Sequence, residues 1–148
     1  MPSKLELLER TLEQGFPLGE DVPTALADPG RVSRLQDALA EIAAPALVVE
    51  MVGDQDFRGQ REGVEGFLEF WRDWAESFER FRVEIDDAIE SGEHLVTLVR
   101  QIGRPRGGVS DIENAGAAVW TFEGETLVRV EFHLDRTLAL RAAGIEPG

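Results

Sequence analysis

A change of hydrophobic period just before residue 81 is the feature that most constrains what this chain can fold into. From Arg61 to Phe78 the apolar residues Val64, Phe67, Leu68, Trp71, Trp74, Ala75 and Phe78 recur at helical spacing, which predicts one long helix with a broad aromatic stripe. From Phe81 the period falls to two. Phe81, Val83 and Ile85 alternate with Arg82, Glu84 and Asp86, the pattern of a strand buried on one face. Three further strand-like runs follow, Leu95–Ile102, Ala115–Phe122 and Thr126–Leu134, each reached through a short turn at Ser91-Gly92-Glu93, Arg104–Gly108 or Glu123-Gly124-Glu125. A helix with a wide apolar face, followed by strands joined by short turns, predicts α+β architecture with an antiparallel sheet covering that helix.

The elements before this switch are shorter. Ser3 to Gln14 carries Leu5, Leu8 and Leu12 at helical spacing, with Ser3 and Glu6 as a capping box and Gly15 as the stop. Residues 16–31 read as loop, with one helical turn at Thr24–Ala27. A second helix, about 32–44, presents Leu35, Leu39 and Ile42 before Pro45 ends it. The β-branched run 46–52 is a strand that stops at the turn residues Gly53-Asp54-Gln55-Asp56. A short helix over 136–143 closes the pattern before Gly144. The expectation is one domain over 1–148, with helices about 3–14, 32–44 and 61–78 and strands about 46–52 and within 81–134. Its sheet, curved by glycines or bulges, would leave one pocket at the wide end.

Composition excludes several functions. Lys and Arg total 15 against 29 Asp and Glu, a net charge of −14, which repels nucleic acid and anionic membrane. The absence of Cys removes disulfides, thiolate metal sites and a Cys nucleophile, and fits a reducing cytoplasm. The first residues carry charges where a signal peptide needs an apolar stretch, and no run approaches about 18 apolar residues. A cytoplasmic chain is expected, without nucleic acid or membrane as partners. No nucleophile elbow, P-loop or dinucleotide fingerprint is present, so no cofactor is expected. His94 and His133 are too few and too far apart for a metal site, and Asp54, Asp56 and Glu62 form a loose, solvated acidic cluster; no metal is expected.

Two charged residues sit in apolar strands. Glu50 is the one carboxylate in its run, and a carboxylate buried there is a candidate general base; the plainer reading has it reaching water or pairing with an Arg. Arg100 lies among Val96, Leu98 and Ile102, where a permanent cation needs a partner or a ligand anion. Glu50 and Arg100 could also form an internal salt bridge. Strand alternation places Val48 with Glu50, Arg100 with Ile102, and Ala118 with Trp120 on common faces. Trp71, Trp74 and Trp120, with Phe67, Phe78 and Phe132, would stack a flat ligand or simply pack the core.

The runs FRGQREGVEGFLEFWRDW, LVRQIGRPRG and AAVWTFEGETLVRVEFHLDRTLALRAAGI resemble the SnoaL-like branch of the nuclear transport factor 2-like superfamily, which includes ketosteroid isomerase, limonene epoxide hydrolase, scytalone dehydratase and polyketide cyclases. The resemblance covers about residues 46–145, and its motifs report a fold rather than an activity. It implies a cone-shaped sheet around one pocket, and inward side chains at Val48, Glu50, Arg100, Ile102, Ala118, Trp120 and Phe132. It also implies a homodimer through the outer sheet face, where Leu95, Thr97 and Val99, opposite the inward set, would otherwise form an exposed apolar patch. On this alignment the epoxide-hydrolase carboxylates fall at Ile102 and Phe132, and the oxyanion-hole acid of ketosteroid isomerase falls at Ala118. Neither apparatus is complete, so neither activity is expected.

The expected function is therefore a small-molecule pocket that binds an apolar ligand or transforms it without a cofactor, as an isomerase, cyclase or lyase would. In the second case Glu50 would move a proton and Arg100 would orient it or hold an oxyanion, while Val48, Trp71, Trp74, Ile102, Ala118, Trp120 and Phe132 shape the cavity. The alternative from another class is a non-catalytic interaction or assembly protein that uses its outer sheet face.

Overall fold

A computed structural model describes residues 3–16, 18–52 and 60–145. The acidic residues Asp54 and Asp56, and the turn expected at 53–56, lie outside the described residues. Three helices come first: α1 (Lys4–Glu13), α2 (Val22–Leu26) and α3 (Pro29–Ile42). Each starts on a side-chain cap. Ser3 Oγ accepts from the amide of Glu6, Asp21 from that of Thr24, and Asp28 from those of Gly30 and Arg31. Strand β1 (Ala43–Val52) and the short β2 (Gln60–Glu62) lead into the aromatic helix α4 (Gly63–Ala75). Then come β3 (Phe78–Ser91), β4 (His94–Pro105), β5 (Ile112–Glu123), β6 (Thr126–His133) and α5 (Arg136–Ala142).

The long helix is shorter at both ends than its apolar period suggested. Residues 60–62 pair with β1 as a strand, and Gly63, at φ +74°, turns that strand into the helix. At the other end Phe78 already pairs with Pro105 in the β3–β4 ladder. The single turn expected at Thr24–Ala27 is the five-residue α2, and β1 begins at Ala43, ahead of Pro45.

The six strands form one sheet in the order β2-β1-β6-β5-β4-β3, antiparallel throughout except for the parallel β1–β6 pair. Bulges bend it. Counting back from the Gly92 turn, Ser91 pairs with His94 and Asp87 with Leu98; Asp86 is then skipped and the ladder resumes with Ile85 opposite Val99. Further shifts lie between Phe78 and Arg80, between Ala43 and Val48, and between Thr121 and Phe122. At Gly103 the sheet receives the rings of Phe78 and Phe81, which would lie 2.8 and 3.0 Å from a β-carbon there.

The concave face packs on α4 and the N-terminal helices. Leu47 and Val49 of β1, Phe81 and Val83 of β3, Leu95 of β4, Trp120 and Phe122 of β5, and Val130 of β6 belong to this core with Phe67, Phe70 and Trp71 of α4. The opposite face of β4 and β5 carries its own apolar row, Val96, Ala117 and Val119, and α5 covers it with Ala139, Leu140 and Ala143. Arg136, the first residue of α5, binds this helix to the sheet by donating to the carbonyls of Val99 (2.9 Å) and Gly116 (3.1 Å) and to Asp86 (2.8 Å).

This arrangement corrects the expected facing of two strands. In β4 the inward residues are Leu95, Thr97, Val99 and Gln101, and in β1 they are Leu47, Val49 and Met51. The apolar patch expected to drive homodimerisation is therefore inside the domain: Leu95 and Thr97 are at most 1% exposed and Val99 is 8% exposed. No helix among the described residues is long and apolar enough to cross a membrane.

Candidate functional site

Alternation along three neighbouring strands sends Thr97, Val99 and Gln101 of β4, Ala118 and Trp120 of β5, and Phe132 of β6 to one point on the concave face. Ala118 contributes only a methyl group there, so the sheet leaves a hollow between it and α4. Phe67 and Trp71 form the helix side of that hollow, and Val83 and Ile85 of β3 complete its wall. Between these side chains lies about 450 Å³ of space, counted out to its open side. It is a narrow slot, suited to something thin.

The slot is closed on its outer side by Leu12 of α1 and by Phe16 and Leu18 of the loop that follows. Leu18 bridges to Val83, and the amide of Gly19 donates to the Val83 carbonyl at 2.8 Å, so the loop is pinned to the edge of β3. Arg31 holds the other side by donating to the Gly15 carbonyl at 3.0 Å and by an ion pair with Glu20. Beyond this closure lies an open hollow between α1 and β3 that shares Leu12, Phe16, Leu18, Ile85 and Thr97 with the slot. The side chains of Leu12, Phe16 and Leu18 therefore stand between an inner space and an outer one.

The walls are almost wholly apolar. No ionisable side chain lines the slot among the described residues. Its polar atoms are few. Trp120 Nε1 donates to Thr97 Oγ1 at 3.0 Å in a buried contact. Trp71 is 6% exposed, and its buried Nε1 has no hydrogen-bond partner among the described residues. Gln101 stands half-buried beside them. The rings are tightly arranged: Phe132 stacks on Phe70 at 4.5 Å and meets Trp71 edge-on at 5.0 Å, and Trp71 also meets Phe16 edge-on at 5.2 Å.

Of the residues expected to form the site, Trp71, Ala118, Trp120 and Phe132 meet around this slot. The others do not. Val48 and Glu50 lie on the outer face of β1, because the alternate residues Leu47, Val49 and Met51 take the core. Glu50 forms an ion pair with Arg129 of β6 and accepts from Gln60 of β2 at 3.0 Å. Arg100 and Ile102 lie on the outer face of β4. Arg100 is 43% exposed and lies 3.1 Å from both Asp86 and Glu113, while Ile102 borders a shallow surface hollow with Arg82 and Asp111. Glu50 and Arg100 thus have separate partners and do not pair with each other. Trp74 packs on Phe78 and Phe81 at 5.9 and 6.5 Å, away from the slot.

On this outer face Asp86 is held between Arg100 and Arg136, and the hydrogen bond from Arg136 does most to keep its carboxyl below the usual range. At the far end of β6 the buried His133 has its Nε2 3.8 Å from Glu131, beyond hydrogen-bond reach. No group of three His, Asp or Glu capable of holding a metal ion gathers among the described residues. Sequence reasoning missed Thr97, Val99 and Gln101, because it took β4 in the opposite phase, and missed Phe16 and Leu18, because loop residues carry no period. A Thr inside an otherwise apolar strand was the available signal for Thr97.

Solved structures share this architecture. An NTF2-like protein of unknown function from Burkholderia pseudomallei superposes with a TM-score of 0.64 at 20% identity, over 97% of this chain and 98% of that one. A putative SnoaL-like polyketide cyclase from Jannaschia sp. CCS1 gives 0.63 at 18% identity, over 98% and 93%. TerC, co-crystallised with polyporic acid, gives 0.62 at 17% identity, over 95% and 96%. At these identities the likeness is one of fold. No curated protein matches the chain in sequence. The family model for the SnoaL-like domain matches residues 30–130, well over half of the chain, and the protein therefore belongs to the SnoaL-like domain family.

Proposed function

We propose that this protein binds a thin, neutral, largely apolar small molecule in the slot between α4 and the concave sheet, and that it holds this molecule without acid–base chemistry. One observation carries the reading: aromatic and aliphatic side chains make the walls, and among the described residues no group that titrates near neutral pH reaches the interior. A pocket built this way favours an apolar body with few polar groups. Proton transfer, by contrast, needs a donor or base within hydrogen-bond reach of the reacting atom. Glu50 and Arg100, the expected acid–base pair, then serve the outer face of the sheet through Arg129, Asp86 and Glu113. The ligand in the TerC structure is consistent with a fold that accommodates small molecules.

A ligand larger than a few water molecules requires the side chains of Phe16 and Leu18 to move outward, which joins the inner slot to the outer hollow. The test is a thermal-shift screen of flat neutral aromatics, followed by titration calorimetry on the hits, with Ala118→Leu as the filled-slot variant. Binding should raise the melting temperature of the wild type. It should be lost in Ala118→Leu, whose circular dichroism stays native, and kept in Glu50→Gln and Arg100→Gln. Retained affinity in Ala118→Leu, or loss in Glu50→Gln, counts against the slot as the site.

A further inference from the structure

Two separate surfaces of the molecule complement each other. The first is the open hollow between α1 and β3, a groove whose walls are apolar, with Leu18 and Ile85 each 38% exposed. The charged groups among its lining residues are both carboxylates, Glu9 and Glu13. They stand one turn apart on α1, a like-charge spacing that costs a helix stability, and neither forms an ion pair among the described residues. The second surface is the tip between β4 and β5, where Val109 is 94% and Ile112 55% exposed. Groove and tip together hold four of the five large apolar side chains exposed among the described residues, so the exposure is concentrated rather than scattered. At the tip three guanidinium groups, Arg80, Arg104 and Arg106, face two carboxylates, Asp111 and Glu79, a local positive excess in a chain of net charge −14. Arg80 and Arg104 share Asp111 at 3.4 Å each. Arg106 is exposed, donates to the carbonyl of Glu76, and pairs with no carboxylate among the described residues.

We infer that the β4–β5 tip of one copy of this protein seats in the α1–β3 groove of a second copy, with Val109 against Leu18 and Ile85 and Arg106 between Glu9 and Glu13. Charge and apolar surface match on both sides. Roughly 17 Å of β3 separates Arg80, at the tip, from Ile85, at the groove, so one chain does not bring the two together by itself. Because tip and groove are different surfaces, the contact is head to tail, and each copy in a pair keeps one tip or one groove free for the next. A loop tip covers little area, and copies of like net charge repel, so the contact is weak and depends on concentration. The groove shares Leu12, Phe16, Leu18 and Ile85 with the slot, so a seated tip lies over the slot's outer side. The inference goes beyond ligand binding and stands whether or not the slot takes a ligand.

Sedimentation velocity over a concentration series reaching the millimolar range tests this, with two variants that break opposite sides of the contact. Val109→Asp spoils the tip, and Ile85→Asp spoils the groove. The average mass of the wild type should rise with concentration, and each variant alone should stay at the mass of one chain. An equimolar mixture of the two variants should form a two-chain species and nothing larger. The Ile85→Asp copy still offers a tip, and the Val109→Asp copy still offers a groove. A double variant, Glu9→Lys with Glu13→Lys, should behave as Ile85→Asp does, alone and in the mixture.

If circular dichroism shows that Ile85→Asp does not fold, the double variant on the surface of α1 takes its place. A wild type that stays at the mass of one chain throughout overturns the inference and leaves ligand binding in the slot untouched. So does a tip or groove variant that associates as the wild type does. A mixture that stays at one chain, or grows beyond two, overturns it as well, because tip and groove would then not be each other's partners.

Discussion

Truncating Phe132 to Ala tests whether the slot is built as described. The ring is 8% exposed and touches four others, Phe70 at 4.5 Å, Trp71 at 5.0 Å, Trp120 at 6.1 Å and Phe67 at 6.2 Å. A buried Phe→Ala change costs about 3–5 kcal/mol, the transfer of the ring plus the void left behind. One side of this ring already borders open space, so fewer contacts are lost than in a solid core, and the lower end, about 3 kcal/mol, is expected. For a chain of this length that lowers the melting temperature by roughly 6–12 °C. Urea unfolding followed by tryptophan fluorescence measures it, with Glu131→Ala as the control. Glu131 is the preceding residue on the same strand and faces the other way, beside Arg129 and His133, so its removal leaves no aromatic void and should cost less than that of Phe132. Equal losses for the two variants, or a loss below about 1 kcal/mol for Phe132→Ala, would refute the facing of β6 and with it the slot.

Three further outcomes are expected. Gly103→Val places its β-carbon 2.8 Å from Phe78 and 3.0 Å from Phe81, and should destabilise by roughly 1–3 kcal/mol; an unchanged urea midpoint would show that the rings have room to move. Arg136→Gln should loosen α5, seen as faster amide hydrogen exchange over 136–142 than in the wild type, because the Val99 and Gly116 carbonyls lose their donor; unchanged exchange there would remove Arg136 from the docking of α5. The third concerns pH. Burial alone would raise the Asp21 carboxyl, but hydrogen bonds from Thr24 and from the Phe81 amide, with the charge of Arg80, outweigh it and hold the group below its ordinary value. A depressed folded value stabilises above the unfolded carboxylate range, about pH 4, and that stabilisation is lost as pH falls through the folded value. Asp21→Asn should therefore unfold along a shallower acid limb than the wild type, and parallel limbs would show that Asp21 is not a source of acid sensitivity.

Much of the fold was legible because periods are local. The aromatic stripe of α4, the alternation of β3 and the capping box of α1 each declare their element without reference to anything distant. The phase of β4 was not legible, and the reason is physical. Leu95 to Val99 is apolar on both faces, since one face meets the core and the other lies under α5, so alternation is erased where it was most needed. The same holds for Leu47, Val48 and Val49 in β1. Counting β3 against β4 from the Gly92 turn does not rescue the phase, because an unbroken ladder pairs Arg100 with Ile85 and puts the cation inside. Phe132 stands out between the polar Glu131 and His133, whereas Ala118 and Trp120, which flank the apolar Val119, took their expected facing from the family resemblance.

The skipped residue in β3 has a consequence for how such a chain can vary. Asp86 pairs with nothing across the ladder, so removing it would leave Asp87 opposite Leu98 and Ile85 opposite Val99, with every side chain still on its own face. What would change is curvature, together with the acidic anchor shared by Arg100 and Arg136. Substitutions among the slot residues alter its lining one group at a time, whereas a single-residue deletion here would flatten the wall that carries Val83 and Ile85 and resize the whole interior at once. Chain length at position 86 thus sets the size of the slot and leaves the chemistry of its lining untouched, and a deletion variant that folds with a slot of unchanged dimensions in its crystal structure would show that the size is set elsewhere.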